Sequence, residues 1–160
     1  MRSSMDVQKL SRRTVLAGAA AVLAVLSLPR WARAELAGDR SRSFQDAFAK
    51  IVGDRTPEAG PFTLDLPELA ENGNMVLFKL DVDSPMTDAE HVTALHLLST
   101  QNPHGHVATF KLSVLSGKAK VSGRMRLAKT QDVVALAELS DGRVLMASRQ
   151  VQVTIGGCGI

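Results

Sequence analysis

Apolar residues change their rhythm along the chain, and each rhythm predicts a different element. Val15–Leu28 is a continuous apolar run broken only by small residues and Ser27. Arg42–Val52 then places Phe44, Ala47, Phe48, Ile51 and Val52 at helical spacing, which predicts one short amphipathic helix stopped at Gly53. Its Phe44 and Phe48 are expected to cover the body of the domain rather than engage a partner. From Phe62 the period falls to two. Phe62, Leu64 and Leu66 alternate with Thr63 and Asp65, and Val76, Phe78, Leu80 and Val82 with Lys79 and Asp81. The same beat runs through Val92–Leu98, Val107–Val114, Ala119–Leu127, Val133–Leu139, Arg143–Ser148 and Val151–Ile155. Alternation of this kind means one buried face and one wet face.

Turn-forming residues separate these runs: Glu71-Asn72-Gly73-Asn74, Asp83-Ser84-Pro85, Gln101-Asn102-Pro103-His104-Gly105, Ser116-Gly117 and Ser140-Asp141-Gly142. Roughly seven or eight short strands in about 100 residues predict an all-β fold, an immunoglobulin-like antiparallel β-sandwich preceded by the short helix. The Cys–Trp–Cys hallmark of antibody domains is absent, so the expectation concerns architecture alone. The chain divides into residues 1–34, a helix and linker over 35–60, a sandwich over 61–155 and a flexible C-terminal glycine-cysteine arm over 156–160.

The first segment reads as an address. Residues 1–14 are basic, the apolar run follows, and Ala32-Arg33-Ala34 supplies a small-x-small cleavage pattern. Arg12 and Arg13 stand at the boundary of the run, as in twin-arginine export signals. The expectation is export to the bacterial periplasm with cleavage after Ala34. An apolar run of 14 residues is short of the approximately 20 that a membrane helix needs, so no stable membrane anchor is expected.

Removing that segment changes the charge reading. The 160 residues carry a net charge of +3, but six basic residues and one acid lie within residues 1–34. The remainder holds 13 basic groups against 15 acidic ones, a net charge of −2. Trp31 leaves with the segment and there is no Tyr, so nucleic-acid binding by a basic stripe or by base stacking has no support.

An exported protein ordinarily pairs its cysteines, and this chain has one. Cys158 follows the last predicted strand in Gly156-Gly157-Cys158-Gly159-Ile160. Glycines have no side chains to pack, so Gly156, Gly157 and Gly159 would make a thin arm on which the thiol could reach on the order of 10 Å. An ordinary cysteine is only a few per cent thiolate at neutral pH, and nothing near Cys158 in sequence would lower its pKa. The reading is a carrier thiol activated inside its partners, with no catalytic residue, cofactor or metal site of its own. A frayed terminus with an incidental thiol is the blander alternative. His104-Gly105-His106, with His91 and His96 preceding it, could seed a metal site, yet no acid or Cys completes a known spacing and Asn102–His106 reads as a solvated polar loop. A metal chaperone using Cys158, His104 and His106, and a purely structural sandwich, stand as the other function classes.

The sequence resembles the SoxY family, sulfur carriers of the periplasmic thiosulfate-oxidising Sox system. The residues that carry this resemblance are Leu66-Pro67-Glu68-Leu69-Ala70-Glu71-Asn72-Gly73-Asn74, Ser84-Pro85-Met86-Thr87, Val107-Ala108-Thr109-Phe110, Arg126-Leu127-Ala128-Lys129-Thr130-Gln131, Ala137-Glu138-Leu139-Ser140-Asp141-Gly142 and Val153-Thr154-Ile155-Gly156-Gly157-Cys158-Gly159. The resemblance implies a protein that is not an enzyme, with sulfur intermediates held covalently on Cys158. It also implies a SoxZ-like small β-sandwich subunit as heterodimer partner. The enzymes it implies are a haem-containing one that couples thiosulfate to the thiol, a sulfate-releasing hydrolase and a sulfane-oxidising dehydrogenase. Where the family commonly ends Gly-Gly-Cys-Gly-Gly, this chain ends in Ile160, a bulky β-branched residue that stiffens the last position.

Overall fold

The computed structural model describes residues 40–157. Helix α1 spans Arg42–Val52, as its apolar spacing predicts. Ser41 caps its N-terminus by accepting from the Phe44 amide at 3.2 Å. At the other end Gly53 sits at φ 60°, a backbone conformation that disfavours side chains, and donates to Ala49 O.

Eight strands follow: β1 (Phe62–Asp65), β2 (Leu69–Asn72), β3 (Val76–Val82), β4 (Val92–Ser99), β5 (His106–Lys111), β6 (Ala119–Met125), β7 (Gln131–Leu139) and β8 (Val144–Ile155). They form two sheets, a three-stranded one ordered β1-β3-β6 and a five-stranded one ordered β2-β8-β7-β4-β5. Two packed sheets of alternating strands are the sandwich that the period-two pattern predicts. Pairing is antiparallel in every ladder but one, β2 running parallel to β8.

The space between the sheets is filled from both sides. Phe62, Leu64, Val76, Phe78, Leu80 and Met125 come from the smaller sheet, and Val92, Leu95, Leu97, Val133, Ala135 and Val151 from the larger. A second apolar cluster lies on the outer face of the larger sheet, where α1 lays Phe44 and Val52 against Leu98, Val134, Leu136 and Val144. The helix therefore covers the sandwich, and the central strands β4 and β7 are buried on both faces rather than on one. Gly105 makes this close approach possible. A Cβ there would lie 2.3 Å from the backbone of Phe44, while the Gly105 amide donates to Ser43 Oγ at 2.9 Å.

Four local expectations are corrected. Glu71 and Asn72, read as the start of the turn Glu71–Asn74, belong instead to strand β2 (Leu69–Asn72), whose pairing with β8 needs only Ala70 turned inward. Arg143–Ser148 and Val151–Ile155 are one strand of 12 residues, continuous through exposed Arg149 and Gln150. Val114 lies in a 3-10 turn (Val114–Ser116) instead of extending β5. Asn102–His106 is not a solvated loop: Asn102 and Gly105 are buried, although His104 and His106 are exposed.

Candidate functional site

The chain leaves the sandwich at the end of β8. Ile155 O accepts from the Gly73 amide at 2.8 Å, Gly73 O accepts from the Leu127 amide at 2.8 Å, and Leu127 O accepts from the Gly157 amide at 2.9 Å. Three segments distant in sequence thus meet: the β2–β3 turn, the stretch after β6 and the residues after β8. The seat is tight enough to require glycine. A Cβ on Gly156 would stand 2.1 Å from Ala128 O, and one on Gly73 would stand 2.2 Å from Leu127 O and 2.7 Å from the Gly157 nitrogen. Gly156 and Gly157, expected as the start of a free arm, are seated here, and Gly157 is buried. Close packing is a second reason for these glycines beside conformational freedom.

The seat rests on a buried amide pair. Asn102 donates to Arg126 O at 2.9 Å, and its Oδ1 accepts from the Ala128 amide at 2.9 Å and from Gln131 Nε2 at 2.8 Å. Gln131 also donates to Lys129 O and accepts from the Gln101 amide at 2.7 Å. Every polar atom of the Asn102 side chain is engaged in holding the backbone of Arg126–Lys129, the wall against which Gly156 and Gly157 lie. Buried polar groups bonded in this way fix a unique local geometry. Reading the sequence missed both residues. Asn102 carried the signature of a turn, and Gln131 stood just ahead of an apolar strand.

The histidines separate into different roles. His96 on β4 is buried, with Nδ1 2.9 Å from Thr109 Oγ1, and His106 Nε2 approaches the same hydroxyl at 2.8 Å. His96 Nε2 faces Glu138 at 3.7 Å, and Glu138 is itself paired with Arg55 at 2.9 Å. Burial lowers the pKa of His96, with Glu138 opposing the shift and His106 and Arg55 adding to it. His91 Nδ1 lies 3.0 Å from Thr87 O. Among the described residues no group of three or more His, Cys, Asp or Glu is placed to hold a metal ion. No helix among them is long and apolar enough to cross a membrane. Arg12, Arg13, Cys158 and Gly159 lie outside the described residues.

The family model of the sulfur oxidation protein SoxY matches residues 48–158, a span that runs from α1 through the glycine seat and ends on Cys158. The chain belongs to the SoxY family. Among solved structures, the sulfur carrier protein SoxY from Chlorobium limicola f thiosulfatophilum aligns at 30% identity over 71% of this chain and 97% of that one, with a TM-score of 0.58. The superoxide reductase (neelaredoxin) from Ignicoccus hospitalis aligns at 13% identity over 59% and 80%, TM-score 0.54. That from Nanoarchaeum equitans aligns at 11% over 61% and 99%, TM-score 0.51. At such identities the two reductases share the fold alone. A comparison with curated proteins found no match. Within the SoxY family match, the seat formed by Gly73, Leu127 and Gly157 immediately precedes the chain's one cysteine.

Proposed function

We propose that this member of the SoxY family is a periplasmic sulfur carrier that binds thiosulfate-derived sulfur covalently on Cys158. The observation that carries the reading is the seated Gly156-Gly157 pair directly before the single thiol, inside the span that matches a sulfur oxidation family. It acts as a tethered substrate handle and not as a catalyst. In the first step the thiol sulfur and the outer sulfur of thiosulfate form a bond, giving Cys158–S–S–SO3⁻ with loss of one proton and two electrons to a haem-containing partner. Water then cleaves the outer S–S bond in a hydrolase, releasing sulfate and a proton and leaving a persulfide. A dehydrogenase then oxidises the outer sulfur of the persulfide, taking three oxygens from water and accepting six electrons with release of seven protons, to give Cys158–S–SO3⁻, and a second hydrolysis releases sulfate and a proton and returns the thiol.

The thiol needs no unusual acidity for this, since each partner can activate it on arrival. A SoxZ-like small β-sandwich subunit completes a heterodimer, and export of that folded pair through the Arg12-Arg13 signal, with cleavage after Ala34, brings it to the periplasm. The test is intact mass of the protein isolated from thiosulfate-grown cells. The expected result is a chain beginning at Glu35 with a reductant-labile adduct on Cys158, absent from Cys158→Ser. Undiminished thiosulfate-dependent turnover in Cys158→Ser would overturn the reading.

A further inference from the structure

Charge is unevenly placed along this chain. Residues 91–131 hold six Lys or Arg and no Asp or Glu, whereas the rest of residues 35–160 holds seven basic groups against fifteen acidic ones. The fold lays most of that basic stretch along two adjoining sheet edges. β5 is the outer strand of the larger sheet and β6 the outer strand of the smaller, and they are consecutive, joined through the 3-10 turn Val114–Ser116. His106 and Val107 of β5 line one surface cleft with Arg124 and Met125 of β6. Lys111, Lys118, Lys120, Arg124 and Arg126 are all exposed. Lys120 pairs with Asp81 at 2.7 Å, and the other four form no ion pair among the described residues.

β6 is the longer of the two edges. It pairs only with β3, Lys120 opposite Asp81, Ser122 opposite Lys79 and Arg124 opposite Leu77, so its far side offers backbone N–H and C=O groups with no ladder partner. Lys120, Ser122 and Arg124 face solvent, while Ala119, Val121 and Met125 turn toward the sandwich. Leu115, 92% exposed, stands in the turn between the two edges as an apolar group that the core does not use. One charged residue is enough to guard an edge against a second copy. Here antiparallel pairing of two β6 strands about Ser122 would set Lys120 directly against Arg124, and like charges opposite each other repel. The same two cations favour a strand of opposite charge.

We infer that the free edge of β6 is a docking site for an acidic β-strand of another protein, with Glu or Asp at alternate positions beside Lys120 and Arg124 and apolar residues between them. Backbone hydrogen bonds to the open edge supply the pairing, and the alternating charge supplies the register. Charge complementarity selects this occupant over a second copy of the chain. A nucleic acid would find no free ring to stack on, because Phe110, the one aromatic residue of the two edges, packs against Phe78 with ring centroids 6.2 Å apart. Lysine is depleted from the interfaces of protein complexes, and charges at an interface act mainly on the rate of encounter. The edge therefore suits a partner that is met and released. The inference stands on β6 and its neighbours and is independent of the carrier reading.

The test uses a blocked seven-residue peptide of alternating Glu and Val as the probe. It is titrated into the nitrogen-15-labelled full chain under reductant at low salt, beside a control peptide of the same residues with the valines grouped together. The alternating peptide is expected to move the amide signals of Ala119–Met125, to slow hydrogen exchange along β6, and to bind at least about 10-fold more tightly than the control. Raising the salt should weaken it, since these charges are exposed and screened. Lys120→Glu/Arg124→Glu should lose the Glu-Val peptide and gain an alternating Lys-Val peptide. Both substituted side chains are exposed, and the wild-type comparison of the two Glu-Val peptides decides the question even where this variant unfolds. Equal binding of alternating and grouped peptides would reduce the edge to a patch of charge and overturn strand addition. Shifts confined to β5, or none at all, would overturn the assignment to β6. Tighter binding of duplex DNA or of phosphatidylglycerol vesicles than of the alternating peptide would overturn the protein partner.

Discussion

Replacing Asn102 by Leu should destabilise the domain more than replacing it by Ala, an inversion of the usual order for a buried position. Leu shares the branched skeleton of Asn and, being bulkier, fills the site, but it leaves Arg126 O and the Ala128 amide without the partners they have at 2.9 Å each. Gln131 Nε2 retains Lys129 O, so it is not orphaned. A buried polar group deprived of its partner costs about 1–3 kcal/mol, and two such groups place Asn102→Leu near 3 kcal/mol. Asn102 helps line a surface cleft of about 390 Å³, so Ala opens space there through which water can reach the same groups and recover part of that loss. For a domain of this size, about 3 kcal/mol corresponds to a fall in Tm of roughly 12 °C. Thermal unfolding followed by circular dichroism, with urea unfolding as a check, measures both variants. A fall below about 3 °C for Asn102→Leu, or a Leu variant more stable than the Ala variant, would refute the claim that this amide supports the seat.

Gly156→Ala must displace Ala128 O from its 2.1 Å clash, and the Gly157–Leu127 bond is expected to open. Hydrogen exchange at the Gly157 amide should then accelerate at least 10-fold with the β7 amides still protected; unchanged exchange at Gly157 would count against the seat. Phe44→Ala removes the ring that α1 inserts beneath Leu98 and Leu136 and should destabilise by about 3–5 kcal/mol, read as a lower urea midpoint. His96 has a folded pKa below 6.5, so the unfolded chain takes up the proton first, and stability falls as the pH drops through about 6.5 toward the lower folded value. In His96→Gln that part of the stability–pH slope should vanish between pH 7 and 5, and its persistence would place the titration on another group.

The sequence made some elements readable for clear physical reasons and hid others for equally clear ones. Helix α1 was readable to the residue because Phe44, Ala47, Phe48, Ile51 and Val52 mark one face and Gly53 ends it. The long alternating runs of β3 and β6 declared themselves in the same way. Strand β2 left almost no trace, since an edge strand of four residues turns only Ala70 into the core. Arg149 and Gln150 suggested a break in β8 because mid-strand polar residues resemble a turn when the neighbouring ladder cannot be seen. At the site, the terminal glycines and cysteine announced themselves by composition. Gly73 and the Asn102–Gln131 pair did not, because their roles arise from backbone atoms brought together from three places in the chain. No local pattern encodes the need for a carbonyl at Arg126 to find a donor 24 positions earlier.

The path of β8 has a mechanical consequence. A pull applied to Gly157 along the line of β8 would load that strand lengthwise. Force in that direction shears the β2–β8 ladder at Leu69–Gln152, Ala70–Val153 and Asn72–Ile155 together, instead of unzipping one rung after another. The single bond from Gly157 to Leu127 yields first, as a weak link ahead of a strong one. The fold can thus yield one residue of slack at Gly157 while β8 stays in register.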